Sequence, residues 1–300
     1  MTRFDHPTRR AWMAAIAAAA VAPLEARRQD PTAAALAAAE KAVGGRLGVG
    51  ILDTGSGRLV GQRLDERFAM CSTFKLPLAA MVLREAAAGR LSLDERIVYT
   101  KADMQSYAPV TSQHLAEGHM TVAALAEAAQ TTSDNTAANL LLRRLGGPAA
   151  FTERLRAAGD TVTRLDRLEP TLNVVVPGDD RDTTTPRAMA TVVAKYLTTD
   201  YLTTSSRDML IGWMEATATG QKRLRAGFPA GWRAGDKTGT AQADAMTDKV
   251  NDIAIAWPPG RAPIVVTAYY DSARKTDATQ PADEAALAAA GRAAAAWVTR

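Results

Sequence analysis

The chain has a single cysteine, Cys71, so it can form no internal disulfide and no multi-cysteine metal site. Its three histidines, His6, His114 and His119, are too few for a histidine-rich zinc hydrolase. A strong charge bias is missing too. The 300 residues carry a net charge of +4, and residues 1–26 hold three arginines against Asp5 and Glu25. The remainder keeps only +3, too weak a field to indicate a nucleic-acid partner. No uncharged apolar run reaches the ~20 residues a bilayer requires. What is present is ordinary for a globular protein: 47% apolar and 23% charged residues, which excludes disorder and a fibrous repeat. The length suffices for a sizeable core in one or two domains.

Residues 1–10 end in Thr8-Arg9-Arg10, and a 14-residue apolar run follows from Ala11 to Leu24. Basic, then apolar, then small is the order of a secretory signal. The paired arginines before Ala11-Trp12-Met13 resemble a twin-arginine signal, which exports a folded chain; an ordinary basic-start signal is the alternative. A lipoprotein anchor needs a cysteine at the cleavage point, and none stands there. The expectation is an exported protein, periplasmic or secreted. Residues 1–26 would be removed and no stable membrane anchor would remain.

In the mature chain, residues 31–43 read as an Ala-rich helix that Gly44-Gly45 stops. Residues 46–53 and 58–63 read as two strands around a Thr54-Gly55-Ser56-Gly57 turn. A strongly apolar helical pattern covers 73–88, and others recur at 121–130, 135–145, 149–158, 186–197 and 206–216. Strand-like runs return at 232–239, 252–257 and 262–270, before a helix at 282–298. Residues 160–185 are polar and aperiodic, and a loop of that length in a compact domain is usually functional. The pattern predicts an α/β fold of the α+β sandwich type. An antiparallel sheet of about five strands, drawn from both chain ends and flanked by helices, would carry an inserted all-helical domain. The α/β domain would comprise 27–65 and 213–300, and the helical domain 66–212.

Ser72-Thr73-Phe74-Lys75 is an S-x-x-K motif. Residues i and i+3 share a helix face, so Lys75 would lie beside the Ser72 hydroxyl. A serine hydroxyl is a poor nucleophile until a neighbouring base takes its proton, and an amine can serve. Alone the motif is weak: Ser272-Ala273-Arg274-Lys275 matches it by coincidence, with no buried helix behind it. Ser133-Asp134-Asn135 stands between two helical patterns and taken alone reads as a helix cap. Lys237-Thr238-Gly239-Thr240 reads as an edge strand. Glu169-Pro170-Thr171-Leu172-Asn173 reads as a solvated turn in the long loop.

Each motif separately favours the plain reading; together and in this order they do not. S-x-x-K, S-D-N, E-x-x-x-N and K-T-G in succession resemble class A serine β-lactamases across essentially the whole mature chain. Tyr107-Ala108-Pro109-Val110-Thr111 is similar to that family's substrate-flanking loop. Arg167 and Asp182 match the ends of its Ω-loop, here 164–182, where they usually pair. Arg223 matches a position where several members place a basic group for the substrate carboxylate.

The resemblance implies hydrolysis of penicillins and cephalosporins through an acyl-enzyme on Ser72. It implies an oxyanion held by the backbone N–H groups of Ser72 and Thr240, worth roughly 3–4 kcal/mol per donor. Lys75, or Glu169 through a water, would take the Ser72 proton. Ser133 would protonate the leaving nitrogen, with Lys237 orienting it. Thr238, Thr240 and Arg223 would hold the carboxylate, with Tyr107, Asn135 and Gly239 completing the binding surface. Glu169 and Asn173 would activate the deacylating water. Two cationic lysines near one nucleophile should lower the pKa of at least one. The family also suggests a cis Glu169–Pro170 bond. It implies no cofactor, no metal, a small-molecule β-lactam as the partner, and a monomer.

Two departures stand out. Residues 241–250 replace the family's shorter glycine-rich turn with a longer connection that has no glycine. Cys71 lacks the partner that some carbapenem-hydrolysing members place just after K-T-G-T, because position 241 is Ala. Cys71 therefore reads as a small buried hydrophobe. His114 and His119 read as surface or capping residues, and Asp179-Asp180-Arg181-Asp182 as pairing within the loop. A D-alanyl-D-alanine peptidase, a serine-dependent glutaminase and a non-catalytic β-lactam sensor share parts of the pattern. Glu169 with Asn173, the K-T-G motif, and the lack of a tether or signalling domain weigh against these in turn.

Overall fold

The structure, a computed structural model, describes residues 31–243 and 246–300. The expected signal at 1–26 lies outside the described residues, as do residues 244 and 245. Helix α1 (Pro31–Val43) leads into strands β1 (Arg46–Asp53), β2 (Leu59–Gln62) and β3 (Phe68–Ala69). Helix α2 (Lys75–Ala87) and strands β4 (Arg96–Val98) and β5 (His119–Thr121) follow. Helices α3 (Val122–Thr131), α4 (Asn135–Arg144) and α5 (Gly147–Ala158) fill the middle, then β6 (Thr183–Thr184), α6 (Pro186–Thr198) and α7 (Thr204–Glu215). The chain ends with α8 (Leu224–Gly227), β7 (Arg233–Ala241), β8 (Lys249–Trp257), β9 (Ile264–Asp271) and α9 (Pro281–Val298).

The five-stranded sheet runs β2-β1-β9-β8-β7, antiparallel throughout, and is built from both ends of the chain as the sequence pattern predicts. Side chains alternate between its faces. Leu47, Val49, Ile51, Ala254, Ala256, Val266 and Ala268 pack with α1 and α9. Ile253, Ile255, Val265 and Tyr269 face the opposite layer, with α2, α6 and α7. Strands covered on both faces lose polar alternation. That is why β8 runs three residues further toward the N-terminus than its apolar stretch suggests: Lys249, Asn251 and Asp252 are buried too.

Residues 76–83 of α2 are all buried, which is why the run shows no polar face: this is a central helix. Pro77 sits in its first turn, where the missing N–H has no intrahelical acceptor to lose. The helix begins later than its pattern suggests. Cys71–Phe74 form a tight 3₁₀ turn ahead of α2. Positions i and i+3 eclipse in such a turn, so Ser72 and Lys75 are drawn closer than a regular α-helix would bring them.

The long loop is tied at both ends. Its β6 end pairs with β3, Phe68 opposite Thr184 and Ala69 opposite Thr183. The Met70 N–H donates to the Asp182 carbonyl at 3.0 Å. Asp182 is fully buried; its carboxylate accepts from the Asp166 and Arg167 N–H groups and from Arg167 Nε at 2.5 Å.

Candidate active site

Four separate pieces of chain meet around the Ser72 and Ser133 hydroxyls. Lys75 Nζ donates to Ser72 Oγ at 3.0 Å, and Ser72 Oγ donates to Glu169 Oε1 at 3.2 Å. Lys75 Nζ also lies 3.0 Å from Glu169 Oε1, 2.8 Å from the Ser133 carbonyl and 2.5 Å from Asn135 Oδ1. Lys237 Nζ reaches Ser133 Oγ from the other side at 3.0 Å. The hydroxyls of Ser72 and Ser133 therefore lie between two lysine amino groups and one carboxylate. The side chains of Lys75, Glu169 and Lys237 are all buried.

Each member is fixed by its element. Ser133 has φ 63°, a left-handed conformation that a non-glycine residue adopts at a cost of about 1–3 kcal/mol. Asp134 beside it caps α4 by accepting from the Ala137 N–H, and its other oxygen accepts from the Val110 and Thr111 N–H groups. The cap thus ties the Ser133 turn to the Tyr107 loop, and the Asn135 N–H donates to the Tyr107 carbonyl at 2.9 Å. Glu169 precedes a cis peptide to Pro170. Asn173 Nδ2 donates to Glu169 Oε2 at 2.6 Å. Asn139, one turn along α4 from Asn135, accepts from the Glu169 N–H and donates to its carbonyl.

Strand β7 forms the opposite wall. It is an edge of the sheet, and its free side approaches the nucleophile turn very closely. A Cβ at Gly239 would lie 2.8 Å from the Met70 carbonyl and 3.2 Å from Cys71 Cβ, so only glycine fits. Asn251 on β8 donates to the Ala69 carbonyl and fixes the same turn from below. Arg223 is buried; it donates to the Gly239 and Asn251 carbonyls and, at 2.8 Å, to Thr240 Oγ1.

The charges are shaped by burial. Burial lowers the Lys75 pKa by more than the Glu169 carboxylate raises it. Lys237 is pushed down to about 7 by burial and by the charge of Lys75. The fall expected for at least one lysine holds for both, with burial as the larger cause. Behind Lys237, burial pushes the carboxyls of Asp236 and Asp252 up, and their proximity raises Asp252 further. Arg225 pairs with Asp236, and the Leu224 N–H donates to Asp252 Oδ2. Cys71 is wholly buried, which pushes its thiol pKa up and leaves it inert.

A cleft of about 380 Å³ opens over these groups. Ser72, Tyr107, Ser133, Asn135, Asn173, Arg223, Thr238 and Thr240 line it, all singled out from sequence. Lys75, Glu169 and Lys237 lie beneath it. Thr219, Gln242 and Thr279 also line it and belong to no motif. Asn139 was missed as well; an asparagine pair at i and i+4 on an apolar helix was the available signal.

Comparison with known proteins gives the family. A family model described as the β-lactamase enzyme family matches residues 31–298. The chain belongs to that family. It is 49% identical to β-lactamase L2 of Stenotrophomonas maltophilia over 272 residues, 86% of this chain and 88% of that one. It is 47% identical to β-lactamase AST-1 of Nocardia asteroides, over 88% of this chain and 81% of the relative. Among solved structures, an ancestral class A β-lactamase superposes with a TM-score of 0.82 at 55% identity, covering 87% of this chain and 98% of that one. The chain is therefore a class A serine β-lactamase, an enzyme that hydrolyses β-lactams and confers resistance to them.

Proposed function

We propose that this β-lactamase opens penicillins and cephalosporins through an acyl-enzyme on Ser72, and that Glu169 drives its release. The observation that carries the reading is the double contact of the Ser72 hydroxyl, with Lys75 on one side and Glu169 on the other. Its proton has two adjacent acceptors, Glu169 and a neutral Lys75; Lys75 touches both Glu169 and Ser133, so by either route the proton moves on to Ser133 and Glu169 is left ionised. The alkoxide attacks the lactam carbonyl. The developing oxyanion sits between the backbone N–H groups of Ser72 and Thr240, donors that need no reorganisation.

Ser133, held between Lys75 and Lys237, passes its proton to the departing nitrogen and regains the one that left Ser72 through Lys75. The substrate carboxylate lies against Thr238 and Thr240. Lys237 and Arg223 supply positive charge there, and Arg223 also fixes the Thr240 hydroxyl. Tyr107, Asn135 and Gly239 flank the bound ring. Glu169 and Asn173 then position the water that cleaves the acyl ester. A carboxylate held beside an acyl-serine separates turnover from a trapped adduct.

The working unit is a monomer of residues 27–300. Its cleft lies between an α/β part (27–65 and 213–300) and a helical part (66–212). The basic, apolar and small-residue order of residues 1–26 supports export to the periplasm or beyond. No helix among the described residues is long and apolar enough to cross a membrane.

Glu169→Gln tests the central assignment. Mixed with a penicillin, the variant should consume one equivalent and stall, with the intact mass raised by one substrate. Rapid turnover by this variant would falsify the deacylation role of Glu169.

A further inference from the structure

The connection between β7 and β8, shorter than its sequence bounds of 241–250 because both ends join the strands, carries a residue whose place is explained neither by the sheet nor by the cleft. Met246 Sδ accepts from the Val175 N–H at 3.3 Å, joining the connection to the Ω-loop. Both side chains pack on a small buried patch of Ala69, Cys71 and Ala241. Val174 and Val176 are exposed, while Val175 between them is half-buried and turned onto Met246.

The Ω-loop needs a hold at this point. Its ends are secured by the β3–β6 pairing and by Asp182, and Glu169 by Asn139. Apart from Met246, residues 174–178 are held by three hydrogen bonds: the Val174 N–H donates to the Thr171 carbonyl, the Val174 carbonyl accepts from Arg167, and the Val176 carbonyl accepts from the Asp179 N–H. A cavity of about 610 Å³ opens beside them, lined also by Arg46, Arg67, Lys249 and Met246. Met246 stands on firm ground by contrast. Two residues on, Asp248 is buried, its backbone bonded to Arg274 and Ser272 and its carboxylate accepting from Thr276.

We infer that Met246 is a positioning residue for deacylation, a latch that holds the middle of the Ω-loop through Val175. The inference rests on the assignment of Glu169 and Asn173 to the hydrolytic water. Asn173 lies two residues before Val175 and bonds Glu169 directly, so slack at Val175 reaches the carboxylate through it. Acylation does not depend on Glu169 alone, because Lys75 is a second acceptor for the Ser72 proton, and the other groups of that step stand elsewhere, on the 71–74 turn, α2, the Ser133 turn and β7. The nucleophile turn keeps its own anchors from Asn251 and Asp182. The latch therefore bears chiefly on deacylation, the step for which Glu169 has no substitute. Methionine suits the place because it fills irregular space and its sulfur is a weak acceptor.

The test separates the two steps by stopped-flow absorbance and quenched-flow intact mass, using benzylpenicillin and a chromogenic cephalosporin. Met246→Ala should acylate within twofold of the parent and deacylate about tenfold more slowly, since small displacements of positioned groups are costly. Met246→Leu, which restores the packing, should recover deacylation to within about threefold. Unchanged deacylation in Met246→Ala overturns the inference. So does an equal fall in both steps with a lowered Tm, which marks plain structural support, and so does failure of leucine to rescue. Glu169→Gln run alongside keeps the two readings apart. If it turns over, the role of Glu169 falls; if it stalls while Met246→Ala is unaffected, only the latch falls.

Discussion

The side-chain amide of Asn139 grips the backbone of Glu169 on both sides, accepting from its N–H at 2.9 Å and donating to its carbonyl at 2.8 Å. The contact spans α4 and the Ω-loop and is buried. It places the carboxylate without touching it.

Asn139→Ala should therefore be costly in two ways. It leaves a buried N–H and a buried carbonyl unpaired, each worth about 1–3 kcal/mol. Urea unfolding should show a loss of about 2 kcal/mol or more. Deacylation should slow further than acylation, because only the loop carrying Glu169 is released. A variant of parental stability would show that this pair of bonds is replaced by water.

Lys237 sets a pH limit. Its pKa of about 7 means that it is charged below that pH and neutral above it. The charge serves substrate binding, so kcat/KM, which reports the free enzyme, should fall as pH rises through about 7. The kcat profile should fall at higher pH, since a bound carboxylate favours the ammonium. Lys237→Arg keeps the charge at any accessible pH and should move the kcat/KM limb up by about one unit or more. An unmoved limb would assign the titration to another group.

Gly239→Ala tests the close approach of β7 to the nucleophile turn. The added methyl would meet the Met70 carbonyl at 2.8 Å and Thr73 Cγ2 at 3.0 Å. Neither is the loose end of a flexible chain, so strand and turn must part, at a cost of about 1–3 kcal/mol. Acylation should fall by on the order of a hundredfold, since the strand carries the oxyanion donor and the turn carries Ser72. Rapid-quench acylation rates and the Tm together check this; full acylation with a normal Tm would contradict it.

Much of this was legible because the chemistry needs fixed residue types at fixed offsets. Ser72 with Lys75, Ser133 with Asn135, Glu169 with Asn173, and Lys237 with Gly239 are each local patterns. The Arg167–Asp182 pair, at the two ends of one loop, was found by position. The five sheet strands were legible from their apolar runs and turns. What was not legible depends on distance in sequence. The β3–β6 and β4–β5 pairs are two and three residues long, too short for a period. Asn139 and Asn251 act on backbone atoms and carry no motif. The 3₁₀ turn at 71–74 cannot be told from an α-helix start by composition. The paired carboxyls Asp236 and Asp252 meet only because Asp252 lies opposite Thr238 in the β7–β8 register.

The union of β1 with β9 sets an order on synthesis. Arg46 pairs with Asp271 across 225 residues, and β1 has β9 as one of its two neighbours. A chain emerging from the ribosome holds β1 and β2 early and cannot seat them in the sheet until residue 271 has cleared the exit tunnel. Contacts of such long separation form slowly, and waiting strands expose their edges to other chains. The interval before closure is when this enzyme is most open to aggregation and proteolysis. Loss of the last 40 or so residues should leave β1 and β2 as an orphan hairpin, which alone is marginal in water.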